Sequence, residues 1–319
     1  MAGHRIDVHH HFYPPDLKDV LGGGPTKGWT PQSSLDEMDV NEVASVALSA
    51  SSIPTDWWRQ DAAWLRRMSR RFNEYGAEMV KDRPGRFALF AFLSMKDVEG
   101  TLQEIEYAFD TLNADGVGIA TSFGDEWPGD ARFAPVFDEL DRRKALVYIH
   151  PTVPFCCEGL LGISSSMIEY PQDTARAILS LLFSGTFRRC PNIRFVFCHA
   201  GGVLPALTGR LEWGTGRMKD FAALAPDGYR AEIARLNFDT ATAANPISLG
   251  ALRAVVPDTA ILFGSDFPYG RLRPNIEGLH GCGLDEGTLA AIERDNALRL
   301  IPRLRSNLLC HSIFTQFLD

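Results

Sequence analysis

The sequence lacks the features that mark membrane proteins, nucleic-acid-binding proteins and thiol-based zinc or redox proteins. None of its apolar runs reaches the length of about 18 residues that a membrane-spanning helix needs. Its 32 Lys and Arg against 40 Asp and Glu give a net charge of −8, and no run rich in basic residues offers a phosphate-binding face. Its six cysteines form no CxxC pair. We therefore expect neither a membrane nor a nucleic acid among its partners.

The N-terminal segment and the composition favour one globular domain in the cytoplasm. MAGHRIDVHHHF has no basic stretch followed by an apolar one, as a secretory signal would have. Hydrophobic residues make up 45% and charged residues 23% of the chain, which is ordinary for a globular protein. No linker rich in Gly, Ser or Pro divides the chain, so we predict one domain over residues 1–319, with the tail after about Arg305 left unassigned.

Short apolar runs alternate with longer segments of helical period. The apolar runs cover residues 5–9, 43–49, 86–92, 116–121, 145–150, 193–199, 235–239 and 260–266. Helical periodicity covers residues 57–81, 98–112, 131–144, 173–189, 204–224, 246–255 and 285–304. Nearly continuous apolar runs are typical of parallel strands buried on both faces, so the alternation predicts a (β/α)8 TIM barrel, with a doubly wound open sheet as the alternative. Residues 14–34 read as a small insertion after the first strand.

Four histidines and one aspartate fall at the predicted ends of strands. His9 and His11 follow the first strand, His150 ends the fifth, His199 ends the sixth and Asp266 ends the eighth. In a (β/α)8 barrel the carboxyl ends of the strands form the active-site face, so side chains from distant positions should converge there. Imidazole nitrogens and a carboxylate suit zinc and neighbouring divalent ions, and three or four such ligands make an open catalytic site.

Each of these residues also has a simpler explanation when it is taken alone. His150 could be a hydrogen-bonded histidine at a strand end, and Asp266 could cap the next helix. In an extended segment, however, His9 and His11 point to the same side while His10 points away, so the HxH pair offers two imidazoles to one ion. The joint placement of all the residues favours a metal site.

His199 stands in the segment CHAGG, whose glycines allow a sharp turn from strand to helix. Its imidazole could accept a proton or hold a water molecule near neutral pH, and it could instead be a further ligand. These alternatives stay open on the residues alone.

The motifs DVHHHFYPP, YIHP, FCHAGG and FGSDFPYG together resemble the amidohydrolase superfamily, and within it the branch of the aminocarboxymuconate-semialdehyde decarboxylase. The resemblance covers about residues 5–303. It implies that His9, His11, His150 and Asp266 bind one divalent metal, zinc in the first place and manganese or cobalt as alternatives, and that His199 is catalytic. The lysine that is carbamylated in binuclear members has no counterpart here, so the resemblance implies a single metal.

The resemblance also implies an activity. The branch removes carbon dioxide from small carboxylic acids without an organic cofactor, and the segment AGHRIDVHHHFYPP is most similar to that of its members that act on 6-methylsalicylate and form 3-methylphenol. Some aromatic-acid decarboxylases of the branch replace the first His of HxH with Glu, and this chain keeps His9. Either Asp266 or His199 could deliver the proton that replaces the carboxylate, so we count both as candidate catalytic residues.

Contacts with the substrate are predicted from position. Phe12, Tyr13 and Phe267 lie beside the ligands and could form an aromatic wall, or could merely pack in the core. An arginine could pair with the carboxylate, and the candidates are Arg176, Arg210 and Arg217. In the resembled branch one such arginine comes from a neighbouring subunit, which implies a homodimer or a higher homo-oligomer. Residues 12–34 and 151–170, which include Glu158 and Glu169, should shape the pocket.

Two other functions fit the same residues. A hydrolase of lactones, esters or amides, or a hydratase, would use a metal-bound water with His199 as general base. A catalytically idle metal-binding or scaffold protein would keep the fold alone. Release of carbon dioxide from a hydroxybenzoate, tested against a panel of lactones, separates the first alternative from the decarboxylase.

Overall fold

The computed structural model describes residues 4–17, 21, 26–50, 53–157, 159–160 and 162–305, and in them eight parallel strands form a barrel. The strands are β1 (Arg5–His11), β2 (Val43–Ser49), β3 (Phe87–Phe92), β4 (Gly116–Ala120), β5 (Leu146–His150), β6 (Arg194–Phe197), β7 (Asn237–Asp239) and β8 (Ile261–Leu262). Each strand pairs with the next one in the chain. Hydrogen bonds from Val8 N to Phe263 O (3.0 Å) and from Asp266 N to His9 O (2.9 Å) close the circle between β8 and β1. The predicted (β/α)8 barrel is confirmed.

Helices follow the strands and cover the outside of the barrel. They are α1 (Pro31–Val40), α2 (Ala62–Asp82), α3 (Val98–Glu106), α4 (Ala134–Arg142), α5 (Ser165–Phe183), α6 (Thr186–Arg189), α7 (Leu204–Thr215), α8 (Phe221–Leu224), α9 (Tyr229–Ala234), α10 (Pro246–Arg253), α11 (Leu272–His280), α12 (Glu286–Ala290) and α13 (Asn296–Leu300). No helix in the described part of the chain has the length and apolar character to cross a bilayer.

The helix boundaries differ from the predicted ones in several places. The helix predicted over residues 204–224 is wrong as one element, because α7 ends at Thr215 and α8 and α9 follow separately. The helices predicted over residues 173–189 and 285–304 are likewise divided, the first into α5 and α6 and the second into α12 and α13. Helix α11 was missed, because the loop-like residues Arg273 and Pro274 hide its apolar spacing. The last residues of the predicted insertion belong to α1, whose first turn is capped by Thr30 accepting a hydrogen bond from Ser33 N. The tail after Arg305 lies outside the described residues.

A β-bulge in β1 decides where its histidines point. The pairing of β1 with β2 shifts by one residue between Asp7 and His10, so β1 carries one extra residue there. Ile6 and Val8 face the barrel interior. Because the bulge reverses the alternation, His9 also faces the interior, with its ring 5.6 Å from that of Tyr148 on β5.

The two ends of the barrel differ in what fills them. At the amino-terminal end, Ala297, Leu300, Ile301 and Leu304 pack into the interior cluster of strand residues. At the carboxyl-terminal end the strands instead present polar and titratable side chains. The candidate site can therefore open only at the carboxyl-terminal end.

Gly202 sets the contact between the turn after β6 and helix α5. Its φ of +62° is disfavoured for residues with a side chain, and a Cβ there would overlap the carbonyl oxygen of Pro171. We expect Gly202→Ala to lower the free energy of unfolding by about 3 kcal/mol or more, since overpacking and backbone strain add. Urea denaturation measures it. Gly209→Ala in α7 is the matched control and should not destabilise the protein, because nothing lies within 4 Å of a Cβ at that position. Equal denaturation midpoints for the two variants would show that the contact at Gly202 is not needed for stability.

Candidate active site

Three histidines and one aspartate meet at the carboxyl ends of the strands. His9 Nε2 lies 3.1 Å from His11 Nε2 and 3.2 Å from Asp266 Oδ1. His11 Nε2 lies 3.0 Å from the same carboxylate oxygen. With His150 they form a group whose ligand atoms all lie within 4.8 Å of one another. The structure thus brings together the four residues that the sequence predicts as metal ligands.

The other ring nitrogen of each histidine is held by an acceptor. His11 Nδ1 lies 3.2 Å from the carbonyl oxygen of Ser49, and His150 Nδ1 lies 3.0 Å from that of the residue after it. His9 Nδ1 lies 2.9 Å from Asp239 Oδ2. A carbonyl oxygen only accepts, so in His11 and His150 the proton is on Nδ1 and the Nε2 lone pair faces the cluster.

This arrangement fits a divalent metal. His150 Nε2 is buried and has no hydrogen-bond partner among the described residues. Lone pairs that converge next to a carboxylate repel one another unless a cation lies between them, and metal-binding histidines characteristically donate their second N–H to a carbonyl or carboxylate. His9, His11, His150 and Asp266 would be the ligands.

Without a metal, the charges of the cluster are balanced by a proton. Burial lowers the pKa of His9, but the carboxylates of Asp239 and Asp266 outweigh it and raise the pKa to about 10. Burial and the charge of His9 hold the pKa of His11 below its usual value. Burial and the nearby imidazoles of His11 and His9 hold the pKa of His150 well below its usual value. Burial would raise the pKa of Asp266, yet the histidines lower it well below its usual value. His9 therefore carries the extra proton.

Metal binding is expected to release about one proton near pH 7. His9 is protonated below its pKa of about 10 and must lose that proton to bind a metal, whereas His11 and His150 are already neutral and Asp266 is already ionised. Metal affinity should therefore rise about tenfold per pH unit up to about pH 10 and then level off. Calorimetry in buffers of different ionisation enthalpy measures the proton count. An affinity that does not change between pH 6 and 8 would contradict it.

Asp239 is a site residue that the sequence reasoning missed. It is fully buried at the end of β7. Its Oδ2 accepts from His9 Nδ1, and its Oδ1 accepts from His199 N and Ala241 N, both at 3.0 Å. One carboxylate thus positions a candidate metal ligand and the backbone of the candidate catalytic histidine. The rule that singled out the other strand ends could have found it, because a strand was predicted to end at residue 239.

Asp239→Asn is expected to weaken metal binding about 10- to 100-fold. Asn offers one acceptor oxygen where Asp239 uses two, so either His9 or the backbone amides lose their partner. Competition with a chromophoric chelator measures the affinity. Asp173→Asn is the matched control, because Asp173 is equally buried and accepts from Thr121 and Trp127 away from the cluster. If both variants bind metal like the parent protein, Asp239 does not position His9.

His199 lies beside the cluster on a strained turn. Its φ is +53° and that of Ala200 is +55°, and the two glycines that follow also adopt positive φ. Its Nδ1 lies 3.0 Å from the carbonyl oxygen of Ala241, which leaves Nε2 as the nitrogen with a lone pair. Its ring centroid is 4.9 Å from that of His9. His199 is therefore placed to exchange a proton next to a bound metal.

A cavity of about 860 Å³ opens next to the cluster. His150, His199 and Asp266 line it, together with residues 164–167 and 170–171, Thr242 and Tyr269. Its size and its mixture of hydroxyl, aromatic and apolar groups suit a small organic ligand. None of the described residues that line it is Lys or Arg. Of the two segments predicted to shape the pocket, 151–170 contributes to this lining and the described part of 12–34 does not.

The aromatic wall is made by other residues than predicted. Phe12 packs against Phe72 in the core, and Tyr13 packs against Trp29. Phe267 is 5% exposed, and none of the three predicted rings lines the cavity. For Phe12 the reason is the alternation along β1: His11 points inward, so the residue after it points outward. The rings that line the cavity belong to tyrosines 170 and 269.

The three candidate arginines also lie outside the lining of the cavity. Arg176 is half-exposed, with its guanidinium 3.9 Å from Asp173. Arg210 and Arg217 lie over the ring of Trp213, at 5.4 Å and 4.4 Å from its centroid. Within one chain the structure therefore does not bring them to the candidate metal ligands. Glu158 lies outside the described residues.

Known proteins resemble the chain over most of its length. A family model described as Amidohydrolase matches residues 6–303. A 6-methylsalicylic acid decarboxylase from Penicillium expansum is 33% identical over 94% of this chain and 97% of its own length. A 2-amino-3-carboxymuconate-6-semialdehyde decarboxylase from Dictyostelium discoideum is 26% identical over 83% of this chain and 82% of its own.

Solved structures share the fold. A dihydroxybenzoic acid decarboxylase from a Polaromonas species, with bound manganese and the inhibitor 2-nitroresorcinol, matches with a TM-score of 0.78 at 20% identity, over 95% of this chain and 97% of its own.

The predicted family and the predicted class of enzyme are confirmed. The chain therefore belongs to the amidohydrolase superfamily, in the branch of the aminocarboxymuconate-semialdehyde decarboxylase, and is a carboxy-lyase.

Proposed function

We propose that the chain is a metal-dependent, non-oxidative decarboxylase of small hydroxybenzoates and that its substrate is 6-methylsalicylate, which it converts to 3-methylphenol and carbon dioxide. The observation that carries the proposal is the group of four metal-ligand side chains beside a cavity of small-molecule size that His199 also lines. The similarity to the Penicillium expansum decarboxylase supports the choice of acid.

His9, His11, His150 and Asp266 would hold one divalent metal, zinc in the first place. Manganese is an alternative, since a structural neighbour contains it, and cobalt is another. When bound, the metal supplies a Lewis acid and a template for two adjacent oxygens of the substrate, the carboxylate and the ortho hydroxyl. A metal in this role would supply the positive charge that the substrate carboxylate needs, because none of the described residues that line the cavity is cationic.

The side chains of the protein move the proton. His199 Nε2 can take the proton of the ortho hydroxyl, because Nδ1 already donates to Ala241. His199 then returns this proton to the ring carbon that bears the carboxylate, which interrupts the aromaticity of the ring. Cleavage of the bond between that carbon and the carboxylate releases carbon dioxide and restores the aromaticity. Asp266 is the other candidate donor, but it is one of the four residues that would hold the metal, and a carboxylate binds a metal in its ionised form. We therefore assign the proton transfer to His199.

The cavity wall orients the ring. Tyr269 lies with its ring centroid 5.9 Å from that of His11, so an aromatic acid near the cluster would contact it. Tyr170 and Met167 continue the wall, and Thr242 places its hydroxyl 3.2 Å from His199 Nδ1. Loss of the ring through Tyr269→Ala should raise the KM for the acid more than it lowers kcat.

The direct test uses purified protein whose metal content has been measured. Incubation with 6-methylsalicylate should give 3-methylphenol and an equal amount of carbon dioxide, measured by chromatography and gas analysis. 3-Hydroxybenzoate, which lacks an ortho hydroxyl, is the matched control and should not react. Acid production from a lactone panel, with no product from any hydroxybenzoate, would instead establish a hydrolase.

Two further features stay predictions. A homodimer or higher homo-oligomer would let Arg210 or Arg217 approach the cavity of a neighbouring chain, and light scattering coupled to gel filtration measures the mass. A cytoplasmic location is checked by cell fractionation.

A further inference from the structure

Two adjacent cysteines lie outside the site described above. The Sγ atoms of Cys156 and Cys157 are 3.0 Å apart. Cys156 is exposed and Cys157 half-buried, whereas Cys190 and Cys198 are buried. The pair therefore presents two thiols to solvent at one point of the surface.

The pair lies between a fixed segment and the cavity wall. Upstream is His150, a candidate metal ligand, and the connection is then held by hydrogen bonds from Phe155 N (3.3 Å) and Cys156 N (2.6 Å) to the segment around Asp125. Downstream the chain leads to Ser164, which lines the cavity. The pair thus lies in the chain between the segment held at Asp125 and the residues of the cavity wall.

We propose that Cys156 and Cys157 are a modification site at which hydroperoxides close a reversible disulfide, and that this ring alters the cavity wall formed by residues 164–171. One cysteine attacks the hydroperoxide as a thiolate, whose proton passes to the leaving oxygen, so that a sulfenic acid forms and the alcohol, or water from hydrogen peroxide, is released. The neighbouring thiol of Cys157 and burial raise the pKa of Cys156 to about 11, so this step should become faster as the pH rises. The other thiol then displaces water from the sulfenic acid and forms the S–S bond. The two thiols lose two electrons and two protons, and the O–O bond takes them up.

The spacing of the pair makes such a disulfide easy to reduce. The Cα atoms of adjacent residues are about 3.8 Å apart, whereas ordinary disulfides span about 4.4–6.8 Å between Cα atoms. Closing the ring therefore strains the backbone, and strained, exposed disulfides are the ones that thiols reduce most readily. The strain falls on the turn in which Cys157 N donates to Pro154 O at 3.2 Å. A reversible switch is therefore expected and not a permanent cross-link.

Mass spectrometry tests the modification directly. Trypsin releases residues 145–176 as one peptide, which contains both cysteines of the pair and no others. After hydrogen peroxide and then iodoacetamide, this peptide should be unalkylated and lighter by two hydrogen atoms, and dithiothreitol should restore two alkylatable thiols. Cys156→Ser and Cys157→Ser are the matched variants and should not show this form. If iodoacetamide still alkylates both cysteines after peroxide treatment, or if the cysteines are oxidised beyond the disulfide, the pair is not a site of reversible oxidation.

Hydrogen exchange tests the effect on the cavity wall. The amides of residues 164–170 should change their exchange rates on oxidation of the parent protein and not of Cys156→Ser. Unchanged rates in a protein with the disulfide formed would overturn the link to the wall. The consequence for turnover rests on the proposed function, and the KM for 6-methylsalicylate should rise several-fold on oxidation. Because mass and exchange need no turnover, a protein inactive on every hydroxybenzoate would contradict the proposed function without affecting this test.

Discussion

Replacement of His11 by alanine is expected to abolish both metal binding and turnover. His11 Nε2 faces His9 Nε2 and Asp266 Oδ1 at about the closest separations in the cluster, so its loss removes a ligand that no neighbour can replace. Loss of one ligand from a four-ligand set leaves a site that binds divalent metal weakly. Metal analysis after dialysis should find less than a tenth of the parent content. Decarboxylation should fall at least about 1000-fold, because the metal supplies several kcal/mol of transition-state stabilisation.

His10→Gln is the matched control for His11→Ala. His10 is the neighbouring histidine on β1 and equally buried, but its nitrogens bond to Asp7 (3.1 Å) and Ser34 (2.9 Å), away from the cluster. Both substitutions should lower the melting temperature, because both disturb buried hydrogen bonds. Only the change at His11 should remove the metal. Equal metal content in the two variants would show that His11 is not a ligand.

His199→Gln is expected to lower kcat by about 100- to 10,000-fold while the protein keeps its metal. Gln is polar and of similar length, so the turn after β6 can keep its shape, but its amide cannot take up and return a proton. Since His199 is not one of the four ligand side chains, metal content should stay at one ion per chain. The KM should change less than kcat, because the wall residues that contact the ring remain in place.

Two results would contradict the role of His199. A variant whose kcat stays within tenfold of the parent value would shift the proton transfer to Asp266. A variant that loses its metal would make His199 a ligand. Thr242→Val is the matched control, since it removes only the hydroxyl next to His199 Nδ1 and should lower kcat far less.

The fold and the ligands could be predicted because they follow from simple rules. Continuous apolar runs indicated parallel strands, and strand ends indicated where distant residues meet. His9, His11, His150 and Asp266 each end or follow a run, so one rule brought them together. The resemblance to the amidohydrolases added their roles and the activity.

The cavity wall could not be predicted because it depends on backbone detail. Phe12 could have been excluded, because it follows inward-pointing His11 and the alternation along β1 turns it into the core. Tyr170 lines the cavity next to Pro171, the residue of α5 against which Gly202 packs, and no local sequence pattern marks that contact. Asp239 was within reach of the strand-end rule, but a single acidic residue after a short apolar run gave no separate signal.

The most direct test of a metal-dependent decarboxylase is a titration of metal into metal-free protein. Zinc or manganese is added in steps to protein stripped with a chelator, and 3-methylphenol formed from 6-methylsalicylate is measured at each step. We predict that activity rises in proportion to the added metal and stops rising at one ion per chain, with no activity in His11→Ala at any amount of metal. Full activity before any metal is added, or one bound metal per chain without decarboxylation of any hydroxybenzoate, would contradict this account.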